Sequence, residues 1–437
     1  MALDLTLNED AYITLLRKIM TVSERVQNAP GLGLIPQEDL VSDIVLEELK
    51  PYLKQQGGPI EAQRIAFKEG RGHLILKYAG TSKADETINL VGSHMDVVPA
   101  NPEGWERDPF TLSVEGDKLY GRGTTDCLGH VALVTQLFVE LAKRNVVTQK
   151  TVTAVLIASE ENGDIAGVGV ETLMETGKID FLKTGPVLWV DTSDSQPCIG
   201  TAGALTWSIK ATGKLFHSGL PHLGMNALEL AMDAIKVIQD RFYKDFPAHE
   251  GEIPYNFACG PPWCKVTGDV RLSPFYEVHD LRAKLNAYVD DLNANITSLE
   301  SRGPHSKYSL PKENLVAKLE LTLAENAMEG IACSLDSIGF KAFDEATRQI
   351  KGVSEPFSIM GRYNYSHRCS SIAPLSFFAR VSSLPLVRDL QRAGLDLTLA
   401  GFGKSAVYHG DNEYCLLSDM KDAVRILGRF IHNVDSA

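Results

Sequence analysis

Short apolar runs at residues 87–91, 151–159 and 187–190, with a helix-length apolar stretch at 128–143 between the first two, constrain this chain more than any other feature. Runs that are apolar at nearly every position suit strands covered on both faces. Strands separated by helices pair as parallel neighbours. The chain is therefore expected to build an α/β domain around a largely parallel sheet. An amphipathic helix opens it, with Ala11, Leu15, Leu16 and Ile19 at helical spacing.

From about residue 205 the texture changes. Residues 206–211 alternate like a half-exposed strand, 226–240 form an amphipathic helix, 265–271 a second strand and 278–295 a second helix. This is the pattern of a small α+β domain inserted into the larger one, placing the boundaries at 1–204 with 333–437, and 205–332. Two domains also suit 437 residues, which exceed what one simple core accommodates. The tail returns to the first style and ends in a helix running from Ser418, read as its N-cap, to about Asn433.

Composition narrows the function classes. Forty-three basic and 56 acidic residues leave a formal charge of −13, which argues against nucleic acid and anionic membrane as partners. No apolar run approaches the roughly 20 residues that cross a bilayer. The first residues lack the layout of a signal or transit peptide, so the expectation is a cytoplasmic protein. Seven scattered cysteines without a C-x-x-C pair predict neither a disulfide framework nor a thiolate zinc site. Any metal should fall to His, Asp and Glu.

Five places with acidic or imidazole residues stand out because each is read as ending or following a strand-like run. His94 and Asp96 sit two apart in Gly92-Ser93-His94-Met95-Asp96, so an extended chain points them to one side, and Asp96 can accept the second imidazole N–H. A surface turn before Pro99 explains the same pair. Asp126, in Gly121-Arg122-Gly123-Thr124-Thr125-Asp126, precedes the helix at 128–143 as a ligand or as a plain cap. Glu160 and Glu161 close the run at 151–159, and adjacent carboxylates at a buried strand end call for a neutralising cation unless the loop is exposed. Asp191 directly follows Val190, and His409 lies in Tyr408-His409-Gly410-Asp411-Asn412-Glu413-Tyr414. In open α/β sheets ligands bind beyond the carboxyl ends of strands, so the conjunction weighs more than any member.

These motifs resemble the di-zinc amidohydrolase and metallopeptidase family that includes acetylornithine deacetylase, succinyl-diaminopimelate desuccinylase, aminoacylase and glutamate carboxypeptidase. The likeness spans nearly the whole chain and is greatest to the plant-type acetylornithine deacetylase branch, through residues 27–39, 124–134, 213–220 and 412–420. It implies a zinc-peptidase-like catalytic domain with a mixed sheet, an inserted dimerisation (lid) domain, and two zinc ions per chain; cobalt or manganese would also suit these donors. By the resemblance, Asp126 bridges the ions, His94 and Asp191 complete one site, and Glu161 and His409 complete the other. Glu160 is the general base and Asp96 the orienting carboxylate. His217 reaches the site from the partner in a homodimer, Arg271 grips the substrate α-carboxylate, and Gly403 belongs to a pocket-lining loop. The implied reaction is hydrolysis of N2-acetyl-L-ornithine to L-ornithine and acetate in arginine biosynthesis. Aminoacylase, desuccinylase or dipeptidase chemistry, each on a small N-acyl or peptide substrate, is the alternative.

Two departures stand against the family pattern. The Gly-Gly loop and substrate Asn expected before Lys265 are replaced by residues 255–264, where Asn256 is out of context. Residues 362–382 are Ser-rich and lack acidic residues, and joining Gly361 to Ser383 restores the family-like reading. The expectation is a translated intron there and a skipped exon piece before Lys265. The alternative is a real insertion forming a surface loop, and a genuinely lost substrate loop would leave an inactive zinc-binding dimeric homologue.

Overall fold

The computed structural model describes residues 3–201, 203–216, 223–247, 265–299, 308–325, 327, 329–359 and 387–437. In chain order the elements are α1 (Glu9–Met20), α2 (Asp39–Leu49), β1 (Ile60–Ala66), β2 (Gly72–Tyr78), β3 (Lys83–His94), β4 (Ser113–Glu115), β5 (Lys118–Tyr120), α3 (Leu128–Lys143), β6 (Lys150–Ile157), α4 (Val170–Glu175), β7 (Val187–Val190) and β8 (Cys198–Thr201). They continue with β9 (Gly203–Thr212), α5 (Ala227–Asp245), β10 (Lys265–Leu272), α6 (Val278–Ala294), β11 (Ser309–Leu310), β12 (Leu315–Val316) and β13 (Lys318–Leu323). Last come α7 (Ile338–Lys351), β14 (Phe357–Ile359), α8 (Val387–Arg392), β15 (Leu397–Ala400), β16 (Tyr414–Leu416) and α9 (Leu417–Asp435).

The described residues form two compact units, one within Met1–Gly200, Ala332–Ser358 and Pro385–Ala437, the other within Thr201–Ile331 and Ile359–Leu384. The first is built on an eight-stranded mixed sheet in the order β1-β2-β6-β3-β7-β15-β8-β14. Its centre is parallel: β3 pairs in parallel with β6 and β7, and β7 with β15. β2 adds antiparallel to β6, β1 to β2, and β8 to β15. Every residue of β6 and β7 is buried, as expected of strands covered on both faces. Residues 128–142 of α3 are buried without exception, because the helix packs on β3 and also on α1, α2 and α9.

The second unit holds the antiparallel sheet β10-β9-β13, covered by α5 and α6. β9 buries Leu205, Trp207 and Ile209, which meet Leu230, Ala234 and Ile238 of α5 and Leu281 and Leu285 of α6. Asn226 caps α5 by accepting from the Leu228 and Glu229 amides.

The amino end of α9 departs from expectation. Leu416, not Ser418, occupies the cap position, and its side chain makes no cap hydrogen bond. The acceptor comes from a distant turn, where an Asp117 carboxylate oxygen takes the Ser418 amide at 2.8 Å and the Asp117 carbonyl takes that of Leu417 at 2.8 Å. Ser418 is a donor here, its hydroxyl 2.5 Å from Asp117. Among the described residues no helix is long and apolar enough to cross a membrane. Residues 255–264 and 362–382, with Asn256, lie outside the described residues.

Candidate metal centre

The four parallel strands deliver their carboxyl ends to one place. His94 is the last residue of β3, Glu160 and Glu161 follow β6, Asp191 follows β7 and Gly401 follows β15. Parallel strands end on the same edge of a sheet, so side chains scattered over 300 residues of sequence gather there. Asp126 arrives from the turn before α3 and His409 from the turn before β16.

Asp126 is the hub. One of its carboxylate oxygens lies 2.9 Å from His94 Nε2 and the other 3.0 Å from His409 Nε2. His409 Nε2 is also 3.0 Å from Glu161 Oε2. Donor atoms of His94, Asp126 and Asp191 cluster within 4.8 Å of one another, as do those of Asp126, Glu161 and His409. Glu160 Oε2 stands 3.8 Å from His94 Nε2. The His409 side chain retains 17% exposure whereas His94 has none.

Electrostatics set this cluster apart from an ordinary buried network. Burial and the neighbouring Asp126 push the Asp191 carboxyl up to about 7. Burial also raises Glu160 well above the carboxylate range, with Asp191, Glu161 and Asp126 adding repulsion, and raises Glu161 in the same way. Asp126 moves the other way, because His409 and His94 outweigh its burial. Burial opposes a charge on His409, yet Glu161 and Asp126 push it up to about 12. Four crowded carboxylates facing two imidazoles are what cations neutralise.

The shell behind the cluster is fixed by Asp96 together with residues the sequence reading did not single out. His94 Nδ1 faces the Asp96 carbonyl oxygen at 2.9 Å, whereas the Asp96 carboxylate, the expected partner, is 3.5 Å away. That carboxylate instead accepts the Glu160 and Glu161 amides at 3.1 and 3.0 Å and the Asn28 amide at 2.7 Å. Burial would raise Asp96, but His94, Asn28 and the Glu160 amide outweigh it and hold the carboxyl below its usual range. Glu38, paired at 2.6 and 2.8 Å with Arg71, takes the Ser159 amide at 3.2 Å and so anchors the same turn. Ser159 and His409 both adopt positive φ, at 60° and 59°, a strained backbone for residues with a Cβ that a rigid surrounding must hold. Asn28, Glu38 and Arg71 lay in or beside polar stretches. The usable signal was that a charged group near an apolar strand end needs a partner.

Two glycines show why small residues recur here. Gly123 has φ 94°, and a Cβ would lie 2.8 Å from both Leu128 and Val97. At Gly401 a Cβ would stand 0.9 Å from the Asp191 carbonyl oxygen, so the loop after β15 lies directly on the backbone carrying Asp191. Gly403 sits over the carbonyl of Thr125, the residue before Asp126, and beside Thr192. Cys127 was excluded as a ligand on spacing, yet its sulfur joins the His94, Asp126 and Asp191 donors within 4.8 Å. Burial raises its thiol well above the usual range. Arg271 lies on β10 opposite Ala204, with its side chain outside the description, and His217 lies outside the described residues altogether.

Comparison with known proteins places this geometry. The acetylornithine deacetylase of Arabidopsis thaliana is 47% identical over 98% of this chain and 97% of its own length. The acetylornithine deacetylase of Dictyostelium discoideum is 44% identical, covering 97% of each. An M20 family metallo-carboxypeptidase of Sulfolobus solfataricus shares the fold with a TM-score of 0.66 at 15% identity, over 98% of this chain and 99% of that one. A dinuclear metal-binding M20 peptidase of Bacillus subtilis matches with a TM-score of 0.57 at 11% identity, over 98% and 100%. The sequence profile of peptidase family M20/M25/M40 matches residues 90–433, from the strand carrying His94 to the closing helix, and the chain belongs to that family.

Proposed function

We propose that this chain hydrolyses the amide bond of N2-acetyl-L-ornithine to L-ornithine and acetate, as a cytoplasmic two-zinc homodimer in arginine biosynthesis. The observation that carries the reading is Asp126, whose two oxygens face two different imidazoles, the posture of a carboxylate shared between cations. Near-full-length likeness to acetylornithine deacetylases supports the substrate.

The residues fit a pair of ions. His94, Asp126 and Asp191 would hold one, and Asp126, Glu161 and His409 the other. Glu161 Oε1 is buried without a hydrogen-bond partner among the described residues, which suits a ligand atom. When bound, zinc supplies Lewis acidity toward the amide carbonyl and acidifies a water.

The chain's own groups do the rest. Glu160 takes a proton from the attacking water as its oxygen adds to the acyl carbon, then returns it to the amine nitrogen as the C–N bond breaks. Burial and the neighbouring carboxylates hold the Glu160 carboxyl above its usual range. Asp96 fixes the Glu160–Glu161 turn through two backbone amides. Arg271 would grip the α-carboxylate bidentately, His217 of the second copy would donate to the developing oxyanion, and Gly403 would line the pocket. The unit spanning 201–331 would serve as the dimerisation domain.

Steady-state hydrolysis of N-acetylornithine by zinc-loaded protein tests the proposal. Ornithine should appear, and Glu160→Ala should abolish its release while zinc is retained. Absence of turnover with any N-acyl amino acid despite two bound zinc ions would refute it. Faster turnover of another acyl amino acid would reassign the substrate.

A further inference from the structure

We propose that Glu413 and Arg122 form a positioning brace that assembles the two-ion site by locking the loop of Asp126 to the loop of His409. The inference rests on the two-zinc reading above and concerns residues to which that reading gives no role.

Glu413 is wholly buried and Arg122 is 2% exposed. One carboxylate oxygen of Glu413 accepts three backbone amides of the Asp126 turn, Gly123 at 3.1 Å, Thr125 at 2.9 Å and Asp126 itself at 3.0 Å. The other accepts Arg122 Nη1 at 2.6 Å. Arg122 in turn reaches back, its Nη2 lying 3.5 Å from the His409 carbonyl oxygen. Backbone bonds extend the junction: the Gly121 amide donates to the Glu413 carbonyl at 3.0 Å, and Thr125 Oγ1 to the Tyr414 carbonyl at 2.9 Å.

The arrangement is reciprocal. Glu413 belongs to the segment that supplies His409 and holds the backbone of Asp126. Arg122 belongs to the segment that supplies Asp126 and holds Glu413 and the carbonyl of His409. Three amides converging on one anionic oxygen fold the turn around a fixed point, and the full negative charge makes each of those bonds stronger than a neutral acceptor would. Because Asp126 and His409 together provide two of three donors for one ion, that ion depends on the brace at two ligands. The ion held by His94 and Asp191 depends on it at one.

Glu413→Gln tests this without changing shape. The amide oxygen can still face the turn, but the NH2 then opposes the Arg122 donors. Zinc uptake by chelator-stripped protein, followed by calorimetric titration and by metal analysis after gel filtration, is the readout. Wild type should take two equivalents. The variant should bind at least one equivalent roughly 10–100-fold more weakly, as outer-shell changes do. Its kcat on N-acetylornithine should fall with KM little changed and recover as free zinc is raised, which a defect of folding alone would not do. Arg122→Lys, which cannot reach both Glu413 and the His409 carbonyl, should weaken zinc in the same direction and decides the matter if Glu413→Gln does not fold. Folded variants that take up two equivalents with wild-type affinity overturn the brace. Wild-type protein that takes up no zinc overturns the two-ion reading and this inference with it.

Discussion

Replacing Gly401 by alanine probes the seat of Asp191 without touching a charged group. The added Cβ would stand 0.9 Å from the Asp191 carbonyl oxygen and 2.2 Å from its carbon. Restoring ordinary contact requires the two backbones to part by roughly 2.5–3 Å. Two buried hydrogen bonds then fail or stretch, Asp191 N to the Ala400 carbonyl at 2.7 Å and Ser195 N to the Gly401 carbonyl at 2.8 Å. Overpacking at about 1–3 kcal/mol, with about 1 kcal/mol for each lost bond, gives a destabilisation of roughly 3–5 kcal/mol. For a domain of this size that is a fall in Tm of roughly 5–10 °C. The assay is differential scanning calorimetry of wild type and Gly401→Ala, each metal-free and zinc-saturated. Both forms should melt lower in the variant, and the rise in Tm on adding zinc should shrink, because Asp191 is carried off with its carbonyl. A variant melting within about 1 °C of wild type with an undiminished zinc increment would show that the loop after β15 does not rest on Asp191.

Three further outcomes follow from the same geometry. Glu160→Gln should lower kcat on N-acetylornithine by roughly 10²–10⁴-fold with zinc content unaltered, because Asp96 holds the backbone of residue 160 and not its carboxyl; a variant keeping near-wild-type kcat would remove Glu160 as the base. Chelation should lower the stability of the fold, and with it the melting temperature, by about 2.7 kcal/mol for each site that had been held at free zinc of 100 times its Kd, and thermal melts at graded free zinc would detect a flat response that contradicts the reading. Burial lowers His73 and His130 to about 4, below the ordinary 6.5, so the unfolded chain binds protons first as pH falls. Their contribution is complete above about pH 6.5 and is lost toward pH 4, at about 1.4 kcal/mol per pH unit for each ring between those limits. Measured from pH 7.5 to 5, the urea midpoint of wild type should fall relative to that of His73→Gln, a difference that isolates this ring from buried carboxyls such as Asp191, whose raised range acts in the opposite sense.

Much of the site was legible in the sequence because its ligands sit where local pattern changes. His94, Glu160, Glu161 and Asp191 each close a run of apolar residues, and a polar group at the end of a buried strand stands out without knowledge of the fold. The helix at 128–143 was equally plain, since a segment apolar on all sides has no place but the interior. The cap of α9 was misread because Ser418 satisfies the local rule, while Asp117, about 300 residues away in sequence, supplies the acceptor.

What the sequence by itself determined was the α/β class, the buried runs at 87–91, 151–159 and 187–190, the helix at 128–143 and the candidate ligands at or just beyond apolar runs. These follow from periodicity and from residue type at strand ends, whereas the roles of those ligands came from the family resemblance. The tertiary structure alone decided which oxygen of Asp126 meets which imidazole, that the Asp96 carboxylate binds backbone amides in preference to the His94 ring, and that Glu413 and Arg122 join two loops. Those choices depend on pairings across hundreds of residues and on burial, which turns an unremarkable charge into one that must find its counter-charge. No local pattern encodes them, because a hydrogen-bond partner is set by where two chain segments meet in space.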